Sequence, residues 1–444
     1  MFTAVSALLL LVAVPQATPA TTYYVSTTGS DSDPGTLTRP FRTIQHAANV
    51  VTQGDTVLIR GGVYNERVVC LASGAVGAPI RFAAYSGETP VLDGAGLTLP
   101  WGSGVFHLPG PAGGGGLSHL VIEGLSVQNS SRVGISCWGS SFVTLRDNRT
   151  DSTGSSGIFV GNSTDIRVED NEIVNACIAG DQECLSVSNT QRVLVRGNHV
   201  HHSAGAATGG EGIDLKDGCA YAVVAGNLVH DLTKVGIYID AFRTLSHDIL
   251  VIGNEVHDTV VGIALASEGG AMLERVAVTG NLVHDSARTA GGGGSAGIVI
   301  STWGTSPTNP MRDLWVTNNT CYQNSAGGIA VQPNPLRGLT VIRNNIVAAN
   351  LTGQLGYREG VSDLVQIDHN LSFGVVGSFE FTGASHLWAD PLLVNPSGGD
   401  YGLQASSPAV DAGALEVGLS RWDLSGLLEL CGEARDLGAF ELCR

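Results

Sequence analysis

Apolar and polar positions alternate in short segments along most of the chain, and from about residue 134 these segments recur in pairs. The first member of each pair opens on Gly-Ile or a close equivalent: GISCWG (134), GIFVGN (157), CLSVSN (184), GIDLKD (212), GIYIDA (236), GIALAS (262), GIVIST (297) and GIAVQP (328). The second ends in asparagine, at Asn148, Asn171, Asn198, Asn227, Asn254, Asn281, Asn319 and Asn345, with gaps of 23 to 38 residues. Strict alternation predicts a strand with one buried face. A period in this range with no helical pattern predicts a β-solenoid, in which each coil buries its apolar face only by stacking on the next.

The asparagines are expected at a turn, where the side chain bonds backbone and the residue tolerates a left-handed conformation, and they should stack into a ladder. His201, His230, His257 and His284 follow at one place in consecutive coils and are likewise expected to stack rather than to bind metal. PFRTIQHAANVV (40–51) has the helical spacing Ile44, Ala47, Ala48, Val51 and predicts a short helix covering the first coil. The expected organisation is one all-β domain over 21–444, with an N-terminal cap and first strands at 21–64 and a C-terminal cap at 380–444.

Composition adds limits. Sixty glycines and only 6% aromatic residues mean a core of small and β-branched side chains. MFTAVSALLLLVAVPQATPA (1–20) has the pattern of a signal peptide, so the protein is expected to be secreted, periplasmic or at the cell surface. No segment is long and apolar enough for a membrane helix. Eight cysteines fit an oxidising compartment; Cys177 with Cys184, and Cys431 with Cys443, read equally as local disulfides or buried thiols. A net charge of −17 excludes a nucleic-acid partner. It also opposes an acidic polymer, unless positive charge is supplied locally.

Two further segments carry a family resemblance. YYVSTTGSDSDPGTLTRPFRTIQHAANVVTQGDTVLIRGGVY (23–64) resembles the start of secreted right-handed parallel β-helix proteins, the pectate-lyase-like superfamily. DPLLVNPSGGDYGLQASSPAVDAG (390–413) and RDLGAFE (435–441) resemble a C-terminal segment of the same group. The resemblance implies a right-handed parallel β-helix and leaves the activity open, because one fold hosts many functions.

GGEGIDLKDG (209–218) concentrates charge in a chain that is only 14% charged. Alternation turns Ile213 and Leu215 inward, and Asp214 and Lys216 outward. Ser186 and Ser188 match them one coil before, Tyr238 and Asp240 one coil after. Glu183 and Glu211 stand at the bends. Glu183, Glu211 and Asp214 are hard oxygen donors suited to Ca²⁺. A cation there would neutralise a uronate carboxylate and acidify the neighbouring C–H. Lys216 is then the candidate base for the C5 proton and Tyr238 the donor to the leaving oxygen, with Ser186, Ser188 and Glu268 along the substrate. The expected partner is an acidic polysaccharide, and the protein is expected to act as a monomer.

EGIDLK is similar to the segment of chondroitinase-B/alginate-lyase-type polysaccharide lyases in which a glutamate stands five residues before the catalytic lysine, here Glu211 and Lys216. That group also has an arginine on the next coil, where this chain has Asp240; Arg243 is near but out of register. Two other readings stand beside the lyase. One is a glycoside hydrolase using Asp214 and Asp240, with Glu211 and Glu268 nearby. The other is a non-catalytic surface β-helix that binds glycans through Trp138, Trp303 or Trp315, or acts as a spacer.

Overall fold

The computed structural model describes residues 20–110, 116–203, 209–286, 296–301, 303, 310–332, 336–357, 363–377, 383–414 and 434–442. The expected signal peptide, the Cys431–Cys443 pair and most of the glycine-rich loops before Gly209 and Gly297 lie outside these residues.

The Gly-Ile openings are fixed by close approach. A Cβ on Gly212 would stand 2.4 Å from the carbonyl oxygen of Gly236, and one on Gly236 would stand 2.7 Å from that of Gly262. Neighbouring coils touch backbone to backbone there, so a side chain has no room at Gly212 or Gly236. Cys184 takes the glycine's place in its coil, buried beside Cys177. Both are thiols rather than a disulfide, and their mutual hydrogen bond, with burial, pushes Cys177 far above the ordinary thiol range.

Three parallel sheets wrap the core, giving the right-handed parallel β-helix that the repeat and the resemblance predict. One of 11 strands carries the Gly-Ile segments and one of 13 carries the segments that end before each asparagine. The third, also of 13 strands, was not anticipated. Through the regular coils it consists of three-residue strands just after each asparagine, such as His199–His201 and Leu228–His230. Three residues are too few for alternation to register as a pattern. Inward positions are filled by Val, Ile and Leu, which form one continuous buried cluster along the helix.

The asparagine ladder is present and runs on to Asn370. Asn227 Oδ1 accepts from the backbone N–H and the side-chain amide of Asn198 (2.9 and 3.0 Å), while its own amide donates to Asn254 Oδ1 (2.8 Å) and to the Val195 carbonyl (3.1 Å). The left-handed residue is not the asparagine itself but the one before it: Asp147, Asp170, Gly197, Gly226, Gly253, Gly280, Asn318 and Asn344 all have positive φ. The chain turns at that residue, which leaves the asparagine side chain directed into the buried corner.

The N-terminal helix forms over Ile44–Val50 with Thr43 as its cap and Ile44, Ala47 and Ala48 buried. Glu66 accepts hydrogen bonds from the backbone N–H groups of Ile44 and Gln45, both at 2.9 Å, satisfying two donors that a helix start leaves open. At the other end Leu387–Trp388 pairs with the last coil. The following antiparallel pair, Leu393–Asn395 with Asp400–Leu403, packs Leu393, Tyr401 and Leu403 against Leu282, Ile346 and Leu371 on the outside of the third sheet. Among the described residues no helix is long and apolar enough to cross a membrane.

Candidate active-site cleft

Strands Leu185–Ser188, Ile213–Lys216 and Val235–Asp240 are neighbours in the 11-stranded sheet. Their register is the one that alternation predicts: Ser186 opposite Asp214 opposite Tyr238, and Ser188 opposite Lys216 opposite Asp240. The intervening Val187, Ile213, Leu215, Ile237 and Ile239 are buried in the core. Two outward columns therefore stand side by side at strand spacing, about 4.8 Å per coil. One coil further on both columns become alanine, at Ala264 and Ala266.

Lys216, one of only two lysines in the chain, sits at the centre. Its ammonium donates to both oxygens of Glu183, at 2.6 and 2.5 Å, and lies 3.8 Å from Asp214 Oδ2. Burial favours the neutral amine, but Asp214 and Glu183 outweigh it and hold Lys216 above the ordinary lysine range. Asp214 is buried, and its Oδ1 has no hydrogen-bond partner. Burial, reinforced by Glu183 and Asp240, pushes its carboxyl well above the carboxylate range, with Lys216 relieving only part of the effect. Burial also pushes Glu211 and Asp240 up, each to about 7. Tyr238 is buried and donates its phenol to Glu268, whose backbone N–H donates to Asp240 Oδ1 (3.2 Å). Burial and the charges of Asp240 and Glu268 keep the phenol protonated.

These groups face a cleft of about 530 Å³ lined by Glu183, Ser188, Glu211, Asp214, Lys216, Tyr238, Asp240, Arg243 and Glu268, among others. Nine of the ten sequence-derived candidates thus share one cavity. Ser186 does not; it is buried below, where its hydroxyl donates to Glu183 Oε2 (2.7 Å), so it positions a carboxylate instead of touching a ligand. Arg243 stays out of register, with its guanidinium over the Phe242 ring at 4.9 Å and its backbone N–H bonded to Asp217 Oδ1 (2.7 Å).

Residues that pattern reading missed supply the walls: Trp101, Arg132, Phe159, Asp181, Gln182 and Phe242. Trp138 lines the cleft as well, tilted on Phe159 and donating its indole N–H to the Gly102 carbonyl (2.7 Å). Trp303 packs edge-on near Tyr238 and Trp315 lies on the neighbouring sheet, so neither faces the cleft.

Glu183, Glu211 and Asp214 suit a hard dication by chemistry. Glu183 is tied to an ammonium, Asp214 has an orphaned buried oxygen, and Glu211 is pushed up to about 7 by burial and by the charge of Glu183. Among the described residues, the ligand groups already within 4.8 Å of one another lie elsewhere, at His199–His201–His230 and Glu255–His257–His284 on the third sheet.

Two family models match the chain: a Pel9A-like right-handed β-helix region over residues 23–182 and a right-handed β-helix region over 133–313. YwoF of Bacillus subtilis, a protein described as uncharacterised, is 27% identical across 87% of this chain and 91% of its own. Pectate lyase PEL9 of Emericella nidulans is 40% identical over 73 residues, 16% of this chain and 18% of the lyase. Among solved structures, XylC in complex with xylose superposes with a TM-score of 0.61 at 14% identity, covering 95% of this chain and 98% of its own. The A-module of the Azotobacter vinelandii mannuronan C-5 epimerase AlgE4 gives 0.56 at 14%, covering 78% and 92%. Pectate lyase Pel9A gives 0.51 at 15%, covering 95% and 96%. At such identities these structural likenesses establish the fold.

Proposed function

We propose that this chain, which belongs to the pectate-lyase-like right-handed parallel β-helix proteins, cleaves a uronate-containing polysaccharide by β-elimination, with Lys216 as the base. The observation that carries the reading is the buried carboxylate ring around a single cleft-facing lysine. A relative over 73 residues named as a pectate lyase, and structural neighbours named as a pectate lyase and a mannuronan C-5 epimerase, agree with it. Elimination across C4–C5 and epimerisation at C5 both begin with loss of the C5 proton.

In this reading the Lys216 amine takes the C5 proton, the C5–H electrons form the C4–C5 double bond, and the C4–O4 bond breaks. Tyr238, protonated and next to Lys216's column, gives its proton to the departing O4. Arg243 at the rim and Ser188 on the floor hold the sugar chain. A hard dication such as Ca²⁺, held by Glu183, Glu211 and Asp214, would supply neutralisation of the uronate carboxylate. Once Glu183 is engaged otherwise, Lys216 loses its closest counter-charge and releases its proton more readily. That answers the charge problem of an acidic protein with an acidic substrate, and it makes activity depend on both the lysine and the acids. The work of such an enzyme fits export, as the N-terminal segment suggests.

A hydrolase is the second reading, favoured by Asp240 being pushed up to about 7 in the same cleft as Asp214, whose carboxyl burial also raises well above the carboxylate range, so that two acids of raised proton affinity share one site. The test is incubation with uronate polymers, reading the ultraviolet absorbance of unsaturated products with calcium and with chelator, for wild type and Lys216→Ala. Reducing ends without that absorbance, lost in Asp240→Asn, would favour the hydrolase.

A further inference from the structure

The histidines after the asparagine ladder stack as expected. His201, His230, His257 and His284 are paired in register on the outer side of the third sheet, with ring centroids 5.2, 4.7 and 4.8 Å apart. In three coils the motif is Val-His-Asp, and the aspartate accepts from the ring Nδ1: Asp231 from His230 (2.8 Å), Asp258 from His257 (2.9 Å) and Asp285 from His284 (2.8 Å). A carboxylate only accepts, so each pairing keeps a proton on Nδ1, and in neutral His230 this leaves Nε2, which faces His199, as a lone pair.

One coil departs from this pattern twice. His202 replaces the aspartate, and His199 stands where the next coils have Leu228, Glu255 and Leu282. The departures bring His199 Nε2 to 2.7 Å from His230 Nε2 and His202 Nδ1 to 2.6 Å from His201 Nδ1. One ligand nitrogen from each of His199, His201 and His230 lies within 4.8 Å of the others. Two ring nitrogens facing at 2.7 Å are satisfied by a single shared proton or by an ion that accepts both lone pairs.

We propose that His199, His201 and His230 form a site for a divalent transition-metal ion of the zinc type, joining two adjacent coils, with Asp231 orienting His230. Imidazole donors select this class over calcium or magnesium. Zinc bonds of about 2.0–2.1 Å place tetrahedral nitrogens roughly 3.3 Å apart, so these side chains need only small rotations, and solvent supplies the fourth position. The superficially similar group Glu255–His257–His284 is different. There His284 Nδ1 meets both Asp285 (2.8 Å) and the Tyr401 hydroxyl (3.0 Å) and its Nε2 faces Glu255 (3.3 Å), whereas in the proposed site Glu172 Oε1 stands 3.4 Å from His201 Nε2 and the short contacts run nitrogen to nitrogen. The site is on a different sheet from the cleft and stands independently of the proposed lyase activity.

The test is calorimetric titration of tag-free, chelator-stripped full-length protein with zinc chloride, repeated with cobalt and read by visible absorbance. One tight equivalent is expected. His199→Gln and His230→Gln should abolish it, Asp231→Asn should weaken it by about 10–100-fold, and His284→Gln should leave it unchanged. These side chains project outward, so metal-free melting temperatures should stay close to wild type; if a histidine variant does not fold, Asp231→Asn decides. Absence of a tight zinc site, or one that survives His199→Gln and His230→Gln, or one lost equally in His284→Gln, overturns the proposal.

Discussion

Replacing Glu183 with glutamine keeps the side chain's shape and removes its charge. Both Glu183 oxygens accept from the Lys216 ammonium, at 2.6 and 2.5 Å, and both side chains are mostly shielded from water. A hydrogen bond with a charged partner contributes about 1.5–3 kcal/mol, and about 1.4 kcal/mol is a tenfold change in a protonation equilibrium. Glu183→Gln should therefore raise the neutral fraction of Lys216 at fixed pH by about 10–100-fold. Asp214, 3.8 Å away, remains and keeps part of the effect in place. The assay is acylation by an amine-directed reagent across a pH series, with peptide mass spectrometry reading each site. The chain has only Lys216 and Lys234, so Lys234 is the internal reference. A Lys216 rate that is unchanged or slower relative to Lys234 would refute the claim that Glu183 sets the protonation of this lysine.

Three further outcomes follow from the same geometry. Asn227→Ala removes the acceptor for the Asn198 backbone and amide and the donor to Val195, all buried, so urea denaturation should show a loss on the order of 2–5 kcal/mol; a loss no larger than that of an exposed substitution would count against the ladder. Asp240 is pushed up to about 7 in the folded protein, whereas an unfolded aspartate ionises near pH 4, so the folded state binds the extra proton and stability falls as pH rises from about 4 to about 7. Asp240→Asn should flatten that fall by about 4 kcal/mol, measured as the difference between the two proteins' stability–pH curves. Trp101, 74% exposed at the cleft wall, should act only on binding: Trp101→Ala raises KM for the polymer and leaves kcat and the melting temperature unchanged.

The parts of the site legible in the sequence are those set by a period of two. Once Ile213 and Leu215 point inward, Asp214 and Lys216 must point outward, and the Gly-Ile corner aligns Ser186, Asp214 and Tyr238 across three coils. The walls were not legible. Trp101, Arg132, Gln182 and Phe242 lie off the regular strand columns, in the connections just before or after the strands, whose spacing follows no repeat. Nor does alternation distinguish an outward residue from an exposed one. Tyr238 and Asp240 point outward yet are buried, because surrounding segments close over them. The partner of Lys216 depended on side-chain direction: Asp214 and Asp217 are nearer in sequence, but Glu183, across the coil, takes the ammonium. The third sheet escaped notice because its three-residue strands are shorter than one readable alternation, and with it went the context that separates His199 from the stacked histidines.

The central claim is that Lys216, released from its carboxylates, removes a proton from a uronate. The measurement that tests it most directly is the ultraviolet absorbance of unsaturated uronate released from alginate, pectate and glycosaminoglycan polymers, with calcium or chelator, by wild type and Lys216→Ala matched for folding. The account predicts a rise on at least one polymer that requires calcium and disappears with Lys216→Ala. A rise that persists in Lys216→Ala, or none on any uronate polymer while neutral glycans gain reducing ends, would contradict it.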